Sequence, residues 1–144
     1  MTESVAETIH ATCVAIGERG LLILGSSGTG KSDLALRLID RGALLVSDDG
    51  VMVRAGSGRA YASAPATIAG RMEIRGLGIV EVPTMKEAPI ALCIRLGTGE
   101  RMPPETLPTF SVAGVAIPML SMEPFEVSAP VKVERALVLF GLPE

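Results

Sequence analysis

The stretch Gly25-Ser26-Ser27-Gly28-Thr29-Gly30-Lys31-Ser32 limits the possible folds of this chain more than any other. It fits G-x-x-x-x-G-K-[ST] without a mismatch, and such a loop works only between a strand and a helix. Both flanks qualify. Residues 21–24 are wholly apolar, as in a central strand buried on both faces. Residues 31–40 read as a helix with Leu34, Ala35 and Leu38 on one face, and Gly42 is a natural stop beyond it.

Each residue type in the loop has a physical job. The glycines allow backbone turns that aim several N–H groups at phosphate oxygens. The start of the helix adds the positive end of its dipole. Lys31 brings a point charge to the β- and γ-phosphates, and Ser32 offers a hydroxyl to Mg²⁺. Residues 25–32 are therefore expected to bind a nucleoside triphosphate. A plain glycine-rich turn that happens to contain Lys-Ser is the bland alternative.

After the helix, residues 43–46 read as a second buried strand, ending at Ser47-Asp48-Asp49-Gly50. A carboxylate at that strand end usually faces the metal and the γ-phosphate. Two adjacent acids can divide the work, one near Mg²⁺ and one taking a proton from an incoming hydroxyl. Asp-Asp-Gly is equally a turn signal. His10, the single histidine, starts an expected strand over residues 9–16. The segment 71–78 sets Glu73 and Arg75 at strand spacing, so that both charges would share one face. An acid there suits a metal, an arginine suits phosphate, and a solvated strand face needs neither.

The rest of the chain reads as short strands and turns. Residues 1–8 read as a frayed lead-in and 17–20 as a hairpin turn. Residues 51–54 and 59–63 form an expected hairpin, 64–71 a loop or short helix, and 76–82 and 89–96 strands. An exposed Pro/Gly/Thr-rich loop is expected over 97–108, extended chain over 112–120 and a closing helix over 131–140. The pattern implies an α/β fold with many β-hairpins and few helices, on one domain spanning residues 1–144.

Composition excludes several functions. Net charge is −3 and aromatics are only 3%, which argues against nucleic acid as a partner. Residues 1–10 do not read as a signal peptide, and no apolar run approaches the roughly 20 residues of a membrane span. A cytoplasmic protein without membrane attachment is expected. Cys13 and Cys93 lie in apolar runs and read as buried free thiols.

Taken together these pieces resemble the C-terminal catalytic domain of HPr kinase/phosphorylase, in a short form similar to those of alphaproteobacteria. The resemblance is carried by Ile9-His10-Ala11, by residues 25–33, by residues 40–49, and by the string from Met72 to Val82 that contains Glu-Ile-Arg-Gly-Leu-Gly. It covers roughly residues 9–82. It implies a P-loop kinase core of the HPr kinase/phosphoenolpyruvate carboxykinase type, with a mixed sheet and β-hairpins. It also implies an ATP- and Mg²⁺-dependent serine kinase, acting on an HPr-like phosphocarrier of a phosphotransferase system and forming a homo-oligomer. By motif, Lys31 would hold phosphate, Ser32 and Glu73 would ligate Mg²⁺, and the Asp48–Asp49 pair would supply the base. His10 falls at the family's active-site histidine, and Arg95, in Arg95-Leu96-Gly97, resembles its Asp-Arg-Leu-Gly arginine.

The chain also departs from that pattern. The family's N-terminal domain is expected to be absent. Residues 82–87 are shorter than the family's Gly/Ala-rich loop, the Pro-Val-x-Pro-Gly-Arg-Asn string tied to phosphorolysis is missing, and the final helical region is truncated. Forward kinase chemistry is thus better supported than its reversal. Two other readings remain open: a P-loop small-molecule kinase using Arg95 and Arg101, and a non-catalytic ATP-binding regulatory protein.

Overall fold

The structure, a computed structural model, describes residues 6–144. In chain order its elements are β1 (Ala6–Ile9), β2 (Thr12–Ile16), β3 (Arg19–Leu24), α1 (Lys31–Asp40), β4 (Leu44–Ser47), β5 (Val51–Gly56), β6 (Arg59–Ser63), β7 (Arg71–Ile74), β8 (Gly78–Glu81), β9 (Glu87–Leu96), β10 (Thr109–Val112), β11 (Val115–Met122) and α2 (Ala129–Phe140). Nine strands make one mixed sheet in the order β1-β5-β6-β9-β3-β2-β4, with β11 and then β10 joined to β9; β7 and β8 form a separate hairpin.

The loop-bearing strand β3 lies at the centre. It pairs parallel with β9 and antiparallel with β2. The two-residue side-chain period of a strand sorts these residues onto opposite faces. Val14, Leu21, Ile23, Leu92 and Ile94 point to a core shared with Leu34 and Leu38 of α1 and with Val133 and Leu137 of α2. Cys13, Ala15, Leu22 and Cys93 point the other way, to a second core closed by Val51, Val53, Ala60, Ala62 and Ile117. Both faces of β3 are therefore dry, as its unbroken apolar run requires. Both cysteines are buried free thiols. Burial pushes Cys93 up to about 12 and raises Cys13 as well, with Cys93 adding to that shift, so neither is poised to react.

Several boundaries differ from the expectations above. The strand expected over residues 9–16 is two strands broken at His10 and Ala11, because the chain changes neighbours there: β1 pairs with β5, and β2 with β3 and β4. Of the expected lead-in, residues 1–5 lie outside the described residues, whereas Ala6–Ile9 is paired strand. The Glu7 carboxylate also accepts the Ala113 backbone N–H at 2.6 Å. The turn after β2 is shorter than expected, since Arg19 and Gly20 already belong to β3. The extended chain near residues 112–120 is a hairpin of β10 and β11 turning at Ala113 and Gly114. Glu73 and Arg75 do not share a strand face, because β7 ends at Ile74 and Arg75 enters the turn.

Strand β4 is last in the main path, yet Leu45 and Val46 are buried. Its outer edge is covered by backbone: Leu45 N–H donates to Pro83 O at 2.9 Å, and Met85 N–H to Leu45 O at 3.0 Å. The segment leading from the β7–β8 hairpin into β9 thus occupies the open ladder.

Candidate active site

The loop of residues 25–32 runs from the end of β3 into the first turn of α1. Gly30 is the N-cap, with φ 104°, a backbone state that glycine enters without strain. A Cβ on Gly25 would lie 2.5 Å from Thr29 Oγ1, so the loop closes only over a glycine there. Thr29 in turn donates its hydroxyl to Ser26 O at 2.6 Å. No side chain caps α1, which leaves its first N–H groups open to an anion.

Lys31 is buried at 6% exposure, and Nζ donates to Gly25 O at 2.8 Å and Ser26 O at 3.0 Å. An ammonium has three donors, so one remains for a ligand. The loop's own carbonyls thus hold the lysine folded back over the place where phosphate oxygens would sit.

Beside it, the end of β4 brings in Asp48. Its Oδ1 accepts the Ser32 hydroxyl at 2.6 Å and the Thr12 hydroxyl at 3.1 Å. Asp48 is 7% exposed and Thr12 fully buried. Asp49 follows with φ 58°, a left-handed state that Asp tolerates better than most residues, and its N–H donates to Thr12 Oγ1 at 3.4 Å. The Ser47 hydroxyl donates to Gly50 O and closes the turn. As a result the two neighbouring carboxylates face different partners. Asp48 is tied to the loop serine, while Asp49 is exposed and stands 3.5 Å from His10 Nδ1. His10 Nε2 is 3.5 Å from Ser27 Oγ, so the imidazole bridges the phosphate loop and the acidic turn.

Arg95 lies on β9 between its ladder partners Leu24 and Ser121. It lines a pocket of about 610 Å³ together with His10, Gly25, Ser26, Phe110 and Met119. The structure therefore brings His10, Lys31, Ser32, Asp48, Asp49 and Arg95 to one end of the central strands. Nothing among the described residues ties Glu73 to this cluster. Glu73 is exposed on β7, and among the described residues no hydrogen bond or ion pair joins it to Ser32 or Asp48, nor does any group of three metal-type ligands form. Sequence reasoning missed Thr12. In sequence it is one more β-branched residue in a strand, and only the β2–β4 register, with Cys13 opposite Ser47, sets it against the aspartates.

The HPr serine kinase C-terminal domain model matches residues 3–133. The chain belongs to this family. Curated relatives named HPr kinase/phosphorylase include one from Clostridium tetani, 44% identical over 77 residues, or 54% of this chain and 25% of that protein. Another, from Caldanaerobacter subterraneus, is 47% identical over 79 residues, 54% of this chain and 26% of that protein. The chain thus spans about a quarter of the length of the curated relatives it matches. Among solved structures, the Hpr(Ser) kinase/phosphatase from Coxiella burnetii superposes with a TM-score of 0.80 at 28% identity, covering 92% of this chain and 95% of that one. The mixed α/β fold is that of an HPr kinase. Among the described residues no helix is long and apolar enough to cross a membrane.

Proposed function

We propose that this chain is an ATP-dependent serine kinase acting on an HPr-like phosphocarrier. The observation that carries the reading is the Ser32–Asp48 hydrogen bond of 2.6 Å at the mouth of an uncapped phosphate loop. It joins the residue suited to the metal to the acid suited to the substrate.

The residues fit the triphosphate and Mg²⁺. The free donor on Lys31 and the open N–H groups of α1 suit phosphate oxygens. The Ser32 hydroxyl suits a hard cation, and Glu73 is the proposed second ligand, on the strand whose Met72 packs into the core with residues of α1. Bound there, Mg²⁺ would offset charge on the phosphates. The target serine Oγ forms a bond to the γ-phosphorus as the bond to the β,γ-bridging oxygen breaks, and ADP leaves. The serine proton passes to a carboxylate. We assign it to Asp48, whose Oδ2 has no hydrogen-bond partner among the described residues. Asp49, held by His10, then orients the acidic turn, and Arg95 adds positive charge across the pocket.

The test is transfer of label from γ-labelled ATP, with Mg²⁺, to the HPr-like carrier of the same genome. A labelled carrier serine is expected with wild type and lost with Lys31→Ala and Asp48→Asn. ATP binding without any transfer to the carrier would refute the kinase reading.

A further inference from the structure

The chain has three Phe, one Tyr and no Trp. Three of these four aromatic rings are at least partly covered, but Phe125 is 64% exposed. Its position is specific. A Cβ built on Gly30 would meet Phe125 Cζ at 2.9 Å and Pro124 Cβ at 3.7 Å, so one edge of the ring rests on the last glycine of the phosphate loop. The other side of the ring is open to solvent.

The ring is also held in place. Residues 123–128 connect β11 to α2, and the Arg37 guanidinium of α1 donates to the backbone carbonyls of Pro124 and Glu126. Arg37 is itself fixed by Asp33, 2.9 Å away on the same helix. Phe125 is therefore anchored to the helix whose first turn would receive the phosphates. Leaving so much apolar ring in water at a fixed place forgoes burial, and the phosphate loop beside it indicates what covers the ring.

We propose that Phe125 is the platform on which the nucleobase of the bound triphosphate stacks. The inference rests on the phosphate-loop reading above and extends it from the phosphates to the nucleoside. With the β- and γ-phosphates at Lys31, a nucleoside placed over the first turn of α1 would lie beside the contact between Gly30 and Phe125. An aromatic face accepts a purine ring by stacking and makes no demand on its hydrogen-bonding edge. Phe125 therefore contributes affinity for a purine nucleotide in general, and choice between bases falls to other groups.

The experiment compares ATP with inorganic tripolyphosphate, which offers the phosphates without a base, by titration calorimetry. Phe125→Ala is expected to weaken ATP about tenfold and leave tripolyphosphate unchanged, since stacking on one base contributes on the order of that factor. Lys31→Ala weakens both ligands. Phe125→Trp restores ATP affinity and gives the chain its only tryptophan, whose emission ATP quenches and tripolyphosphate does not. The proposal is overturned if Phe125→Ala leaves ATP affinity intact or weakens both ligands equally. Loss of carrier phosphorylation with ATP affinity intact would likewise overturn it, and would mark Phe125 as a protein-docking residue. If wild type takes neither ligand, the phosphate-loop reading itself fails and this one falls with it.

Discussion

Thr12→Val probes the link between the second strand and the acidic turn. The two side chains are nearly the same size, so the buried position stays filled while its hydroxyl is lost. That hydroxyl donates to the Asp48 carboxylate at 3.1 Å and accepts the Asp49 N–H at 3.4 Å. A hydrogen bond to a charged group contributes about 1.5–3 kcal/mol net, and the longer neutral one on the order of 0.5. Valine recovers part of this through the apolar contact of its second methyl. The expected net loss is about 2 kcal/mol. In a chain of 144 residues this is a fall of roughly 4–8 °C in Tm, read by calorimetry without ligand. Thr12→Ser keeps the hydroxyl but deletes a buried methyl, at about 1 kcal/mol, so about half of the loss should return. Kinase turnover should drop in Thr12→Val as well, because Asp48 then rests on Ser32 alone. The reasoning is refuted if Thr12→Val melts with wild type, or if Thr12→Ser melts as low as Thr12→Val.

Two other outcomes follow from the surface. On α2, Val131, Val138 and Leu139 are exposed at 41%, 72% and 71%, with Val131 and Val138 two turns apart on one stripe. We expect this stripe to join copies of the chain, so that Leu139→Glu lowers the mass measured by light scattering; an unchanged mass would refute it. Glu87 is held below its ordinary 4.5 by its hydrogen bonds to Arg54. A lowered folded value means a contribution present above the unfolded value and lost as pH falls through the folded one. Glu87→Gln should therefore melt slightly below wild type at pH 7, with a gap that narrows as pH falls below 4.5, and a gap that does not narrow would contradict this.

Local signals placed much of the candidate site. The loop, the helix Lys31–Asp40 and the return strand Arg59–Ser63 were readable at their observed bounds, because glycine, turn and periodicity cues all act within a few residues. The aspartate turn was readable for the same reason. The features that escaped depend on distant pairing. Nothing near Thr12 announces Asp48, 36 residues away, and nothing near Phe125 announces Gly30. The hairpin β7–β8 was half hidden: residues 71–78 read at strand spacing, but the turn at residues 75–77 that folds Gly78–Glu81 back onto Arg71–Ile74 was not legible. The closing helix starts at Ala129, two residues before its expected start, because Pro130 suits a first helical turn, where its missing N–H costs nothing.

The parallel pairing of β3 with β9 also bears on how the protein comes into being. Leu22 sits opposite Cys93, so the strand that launches the phosphate loop gets one of its two neighbours only after some seventy further residues. The hairpin with β2 forms from adjacent chain, but it leaves the other edge of β3 unpaired until Glu87–Leu96 arrives. Non-local closure of this kind slows folding. On the ribosome, the chain would carry its complete glycine-rich loop long before that loop is held in shape, and the ATP binding proposed above would come late in synthesis, with the arrival of a strand that contains none of the loop.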